Sequence, residues 1–234
     1  MRNQGKFVFM LLVCLAIWAQ VATAQTPART NVYHVHFAAA VPGKAAQLAD
    51  FYKTPDKNNP MPDHVMVLRH QDGAEWDYAV ITHMGDKATV TAAGNPAPAS
   101  ARDAMAWHND SFVSGPSWPE FTRAMGIDKD SAKTVNSVYS VSIYRAVPGH
   151  RDQLEKALSG PPAPGAASGG AVLLQHLEGG PWQYLSITRY NSWQDFGTGE
   201  AQSVADTRKG SGGWFDIREH ASYHNDTLAD RIAP

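Results

Sequence analysis

The chain has 234 residues, a formal charge of −2 at neutral pH and one cysteine. It carries no run of Lys or Arg, so nothing in its composition points to a nucleic-acid partner. Its length allows one large or two small domains.

The first segment reads as a leader rather than as fold. Arg2 and Lys6 precede a short apolar run, FVFMLLVCLAIWA, and Ala22 and Ala24 stand at the two positions a signal peptidase reads. This pattern predicts a secretory signal over residues 1–24, cut after Ala24. The run is too short to predict a membrane span, and Val13 before Cys14 argues against a lipoprotein site. Cleavage takes away Arg2, Lys6 and Cys14, leaving 18 basic against 22 acidic residues and no thiol. An exported chain without cysteine fits a bacterial periplasm better than a route where small domains are stapled by disulfides.

Beyond the leader the sequence is written twice. NVYHVHFAAAVPGKAAQLADFY at 31–52 is answered by SVYSVSIYRAVPGHRDQLEKAL at 137–158, and RHQDGAEWDY at 69–78 by QHLEGGPWQY at 175–184, both at an offset of 106. WHNDSF at 107–112 returns as YHNDTL at 223–228, at an offset of 116. Ordered matches of this kind define a duplicated module, placed at residues 31–115 and 137–234, with a linker at 116–136. In each copy a β-branched and aromatic strand ends at VPG and leads into a helix carrying Leu48 or Leu154. A Pro- and Gly-rich loop follows. Two strands joined by a short turn come next, then a helical region, then HND[ST], read as a fourth strand with helix as the alternative. The predicted fold class is α+β: two tandem β-α-β-β-α-β ferredoxin-like modules whose antiparallel sheets cover each other in an intramolecular barrel.

This order resembles the dimeric α/β-barrel superfamily in a tandem, single-chain form. That superfamily includes antibiotic-biosynthesis-type monooxygenases, stress-responsive barrels and haem-handling barrels such as chlorite dismutases. The resemblance is one of topology and covers nearly all of the chain after residue 24. It implies a monomer with an internal pseudo-dimer, and the barrel as the place for a small-molecule partner.

Strand parity assigns faces. The turn QDGAE pairs His70 with Trp76, Leu68 with Tyr78 and Met66 with Val80, and partners across strands share a face. The second copy pairs His176 with Trp182, Leu174 with Tyr184 and Val172 with Ser186. These residues are expected to line the barrel, together with His34, His36, Ser140 and Ser142. Val65, Val67, Ala79 and Ile81, with Leu173, Leu185 and Ile187, are expected to face the helices. An apolar-aromatic lining with a few polar groups is what a small-molecule site needs. Leu68, Trp76, Tyr78, Leu174, Trp182 and Tyr184 are therefore the expected ligand walls.

Chemistry has several candidates. His70 and His176 titrate near neutrality and could move a proton; equally, each could simply stack on its cross-strand Trp. His108 with Asp110, and His224 with Asp226, place a carboxylate two residues from an imidazole, on one face of a strand. His34-x-His36, with His70 as a third ligand, is the alternative metal set, and Ser140 and Ser142 replace the pair in the second copy. The expected function is binding of a small apolar or aromatic molecule, with no cofactor. By resemblance, this extends to weak cofactor-independent oxygenation, in which an activated substrate meets oxygen directly. A haem- or divalent-metal-binding barrel and a non-catalytic stress scaffold are the alternatives.

Overall fold

A computed structural model describes residues 28–59, 61–86, 97–128, 131–160, 166–210 and 213–234. The leader expected over 1–24 lies outside them, as do parts of the Pro- and Gly-rich loops. The first module runs β1 (Asn31–Ala40), α1 (Ala45–Tyr52), β2 (Val65–Asp72), β3 (Tyr78–Gly85), a single turn α2 (Ala99–Arg102) and β4 (Met105–Gly115). A further helix, α3 (Trp118–Met125), lies between the modules. The second module runs β5 (Val138–Ala146), α4 (Arg151–Leu158), β6 (Ser168–Glu178), β7 (Tyr184–Tyr190), α5 (Trp193–Arg208), α6 (Trp214–His220) and β8 (Ala221–Ala233). Both HND[ST] segments lie in strands, β4 and β8.

All pairings are antiparallel, and the strands close in the order β1-β3-β2-β8-β5-β7-β6-β4. Each module supplies four neighbouring strands, and the two seams are β2–β8 and β4–β6. Full closure removes the exposed sheet edges each module would have alone.

The repeated segments build these seams. Gly73 and Gly179, at the hairpin turns, have φ of +120° and +115°, a region that favours glycine. Each turn lies against the HND[ST] strand of the other module. The Ala74 amide donates to Thr227 Oγ1 at 3.1 Å, and the Gly180 amide donates to Ser111 Oγ at 3.0 Å. The final Ser or Thr of one repeat thus ties down the glycine turn of the other.

The interior is filled by alternate residues of every strand, as in small barrels. Tyr33, Val35, Met66, Leu68, Ala79, Ile81, Leu174, Leu185 and Ile187 are buried there in one cluster. This corrects the expected hairpin register. Leu68 pairs with Ala79 and Arg69 with Tyr78; Leu174 pairs with Leu185 and Gln175 with Tyr184. Both hairpins are one residue out of the expected step, and such a slip exchanges the faces of a whole strand. Ala79, Ile81, Leu185 and Ile187 therefore face inward, while Tyr78, Val80 and Tyr184 pack toward the helices. The first strand is reversed as well: Tyr33, Val35 and Phe37 point in, which leaves His34 and His36 on the outer face. Bulky apolar side chains win the axis because a narrow barrel has no water there to solvate imidazoles.

The segment expected only to link the modules closes one end of the barrel. Ser117 and Glu120 form a capping box at the start of α3, a strong helix-start device. Phe121 and Met125 are fully buried in the barrel core. Two repeat-related tyrosines hold the helix from both sides: Tyr33 donates to Pro116 O at 2.8 Å and Tyr139 to Met125 O at 2.9 Å.

Trp118 of this plug stacks on His64 and His83, whose Nδ1 atoms share one proton at 2.9 Å. Burial and the neighbouring His64 push the His83 imidazole down to about 4. An unfolded chain protonates this group near 6.5 while the folded one resists, so its contribution is complete above pH 6.5 and is lost as pH falls toward 4. Unfolding free energy should drop by up to about 3 kcal/mol across that window. A denaturant series at stepped pH should show the drop, and His83→Gln should flatten it; equal slopes in both proteins would rule the His83 origin out.

Candidate functional site

At the barrel end opposite α3 the interior opens into a pocket of about 330 Å³. The repeat builds it in related pairs. Trp76 and Trp182 form its floor, Phe37 and Ile143 its sides, Trp107 and Tyr223 its rim, and Asn109 and Asn225 contribute amides. Trp76 and Trp182 are buried, whereas Trp107 and Tyr223 are 38% and 41% exposed. The rim is electrically polar. Arg145 lies over the Tyr223 ring at 5.6 Å and donates from Nε to Pro181 O at 2.9 Å. Its counterpart in the first module is Ala39, and the counterpart of Pro181 is Glu75. One corner is therefore cationic and the other anionic.

Of the expected ligand walls, Trp76 and Trp182 line this pocket. Leu68 and Leu174 are packed deeper in the core. Tyr78 and Tyr184 lie outside the barrel: Tyr78 donates to Ala45 O of α1 at 2.8 Å, and Tyr184 donates to Glu155 Oε2 of α4 at 2.7 Å. Ser140 and Ser142 share the outer face with Tyr144, which packs in the cluster under α4. His70 and His176 stand edge-on to Trp76 and Trp182, at centroid distances of 5.8 and 5.1 Å. Their Nε2 atoms are buried without a hydrogen-bond partner among the described residues, and burial lowers the basicity of His176. Both hold the floor tryptophans in place from behind.

Phe37, Trp107, Asn109, Ile143, Arg145, Tyr223 and Asn225 were not expected at the site. One signal for them was available. If His108 and Asp110 share a face, then Trp107 and Asn109 share the other, and so do Tyr223 and Asn225.

The face that carries His108 and Asp110 holds a separate cluster. His36 is the register partner of Asp110 across β1 and β4, with His34 and His108 one step away on the same side. Asp110 Oδ1 lies 2.8 Å from both His34 Nε2 and His36 Nδ1, and Oδ2 lies 2.7 Å from His108 Nδ1. Burial pushes the Asp110 carboxyl up, but the hydrogen bonds and charges of His34 and His36 outweigh it and hold the group well below the usual carboxylate range. The second module keeps only His224 and Asp226, 3.6 Å apart. His70, expected as a third ligand beside His34 and His36, is at the barrel mouth instead. Haem fits poorly in the barrel: Met66, Leu68, Ile81, Leu174 and Leu185 fill the axis, and none of the described pocket-lining residues is a histidine.

A crystal structure of an anthrone oxidase-like protein superposes with a TM-score of 0.64 over 88% of this chain and 92% of that one. The chain has the dimeric α/β-barrel fold, closed within a single polypeptide. Identity to that structure is 13%, so the likeness is one of fold. Two proposed monooxygenases align more loosely, each at 7% identity. The one from Lactobacillus acidophilus has a TM-score of 0.49 over 86% of this chain and 94% of its own. The one from Fusobacterium nucleatum has 0.47 over 87% and 93%. No family model and no curated protein sequence matches the chain. Among the described residues no helix is long and apolar enough to cross a membrane.

Proposed function

We propose that the protein binds a small planar aromatic molecule at the barrel mouth. The observation that carries this reading is the pocket itself: paired tryptophans below, an aromatic rim above, and two inward amides to fix orientation. Such a cavity takes a flat apolar body with one or two polar substituents. Arg145 favours a ligand whose hydroxyl ionises, since it can hold a phenolate or enolate oxygen at the cationic corner. That preference supports a second reading, cofactor-independent oxidation, because an electron-rich anion is the form that reacts with oxygen directly. The fold shared with the anthrone oxidase-like protein makes anthrone a reasonable first substrate. The same reading takes the chain as exported, so the form to assay is the mature protein, identified by Gln25 as its first residue.

Tryptophan fluorescence of the mature protein should saturate on titration with hydroxylated anthracenes or naphthalenes. Each rim ring contributes about 1 kcal/mol of aromatic contact. Trp107→Ala with Tyr223→Ala should therefore weaken binding at least about tenfold while leaving thermal melting nearly unchanged, since both rings are partly exposed. Absence of saturable binding, or equal affinity in the double variant, would remove the mouth as a ligand site. Oxygen uptake with anthrone, lowered by Arg145→Gln more than binding is, would separate oxidation from binding alone.

A further inference from the structure

We infer that His36, His108 and Asp110 form a binding site for one divalent first-row transition metal on the outer face of β1 and β4. It is distinct from the mouth pocket. Trp107 and Asn109 turn into that pocket, while His108 and Asp110 of the same strand turn the opposite way.

The geometry is that of a chelate. One ligand atom from each of the three residues lies within 4.8 Å of the others. Two imidazoles and one carboxylate are a donor set that zinc, nickel, copper and ferrous iron accept, with further positions left for water or another ligand. His108, on the solvent side, leaves those positions accessible; its side chain is 53% exposed. Each imidazole nitrogen stands 2.7–2.8 Å from its own oxygen of the one carboxylate. A metal at about 2.1 Å from each ligand atom would replace those hydrogen bonds.

The surroundings supply the outer partners such a site needs. A ligating imidazole is fixed when its other nitrogen is hydrogen-bonded. His36 Nε2 lies 2.8 Å from the Tyr52 hydroxyl, which in turn points at Met105 Sδ, 3.9 Å away. Without metal, His36 Nδ1–H donates to Asp110; a metal takes the place of that proton, and with Nε2 protonated instead His36 donates to Tyr52 and Tyr52 to the sulfur. His108 Nδ1–H likewise donates to Asp110 Oδ2 without metal, and its proton can stand on Nε2 when the metal binds Nδ1. His34 Nε2 donates to Asp110 Oδ1, which orients the carboxylate while its other lone pairs meet the metal. In the second module Ser142 stands where His36 does and Ser140 where His34 does. That half keeps an imidazole and a carboxylate but lacks the second imidazole. The site is therefore single, and the molecule contains its own control.

The test is titration of the metal-stripped full chain with Zn²⁺ by calorimetry and with Co²⁺ by visible absorption. We expect one equivalent at micromolar affinity or tighter, and cobalt d–d bands showing nitrogen and oxygen ligands. Asp110→Asn and His36→Gln should each weaken binding at least a hundredfold and abolish the bands. Asp226→Asn should change neither. Far-ultraviolet circular dichroism of each variant guards against misfolding. Should a variant fail to fold, the histidine ¹⁵N resonances of the wild-type chain give the same answer: His36 and His108 must shift together on adding Zn²⁺, and His224 must not. Absence of binding, a stoichiometry of two, or affinity unaffected by Asp110→Asn would overturn the assignment.

Discussion

Gly179→Ala is expected to be among the most damaging single substitutions in this protein. A Cβ at that position would lie 2.2 Å from Asp110 O and 2.7 Å from Ser111 Cα, both backbone atoms of the opposite module, with φ at +115°. Positive φ costs a non-glycine residue about 1–3 kcal/mol, and backbone overlap adds a similar amount. The expected loss is about 3–5 kcal/mol by urea unfolding. Gly149→Ala is the control: its φ is +83° but nothing lies within 4 Å of a built Cβ, so only the conformational cost of about 1 kcal/mol applies. Equal losses in the two variants would mean that the turn does not interlock with β4. The consequence reaches function, because β4 carries Asn109 on one face and Asp110 on the other. Loosening the β4–β6 seam is expected to disturb the mouth and the outer cluster together.

Phe121→Ala should cost about 3–5 kcal/mol, the usual range for an aromatic core truncation. Phe121 is fully buried, stacked on Tyr33 at 5.1 Å and on Trp118 at 5.4 Å. Its helix joins the modules in sequence but serves as a stopper in space. Val135→Ala, in the same connection but 59% exposed, should change stability by less than about 0.5 kcal/mol. A Phe121→Ala loss below 1 kcal/mol would reduce α3 to a tether. Because the plug and the mouth are at opposite ends of the barrel, this variant should melt earlier yet keep its affinity for aromatic ligands while folded.

The order of strands and helices was legible because duplication repeats the pattern of each element along the chain. The ring contact of His70 with Trp76, and of His176 with Trp182, was legible as well, although the backbone pairs those histidines with Asp77 and Gln183. Closure was implied by the bare sheet face a ferredoxin-like unit leaves. What the sequence could not determine was the face each strand turns inward. Alternation separates Tyr33, Val35 and Phe37 from His34 and His36, but it does not say which set meets water. The length and twist of a hairpin turn decide that, and here turns with glycine at positive φ, docked on the other module, moved the register by one. The tyrosines of the repeated stretch accordingly went to the helices, and His34 and His36 to the outer face.

The sites followed the same division. From sequence alone, paired tryptophans beside paired turns, and a His two residues from an Asp on one strand, could be recognised as local chemistry. Only the tertiary structure brings Trp107, Asn109, Arg145, Tyr223 and Asn225 to one mouth, or sets His36 across from Asp110. Those meetings join segments tens of residues or more apart. They are fixed by the closure of eight strands into one ring, a long-range constraint that no local period encodes.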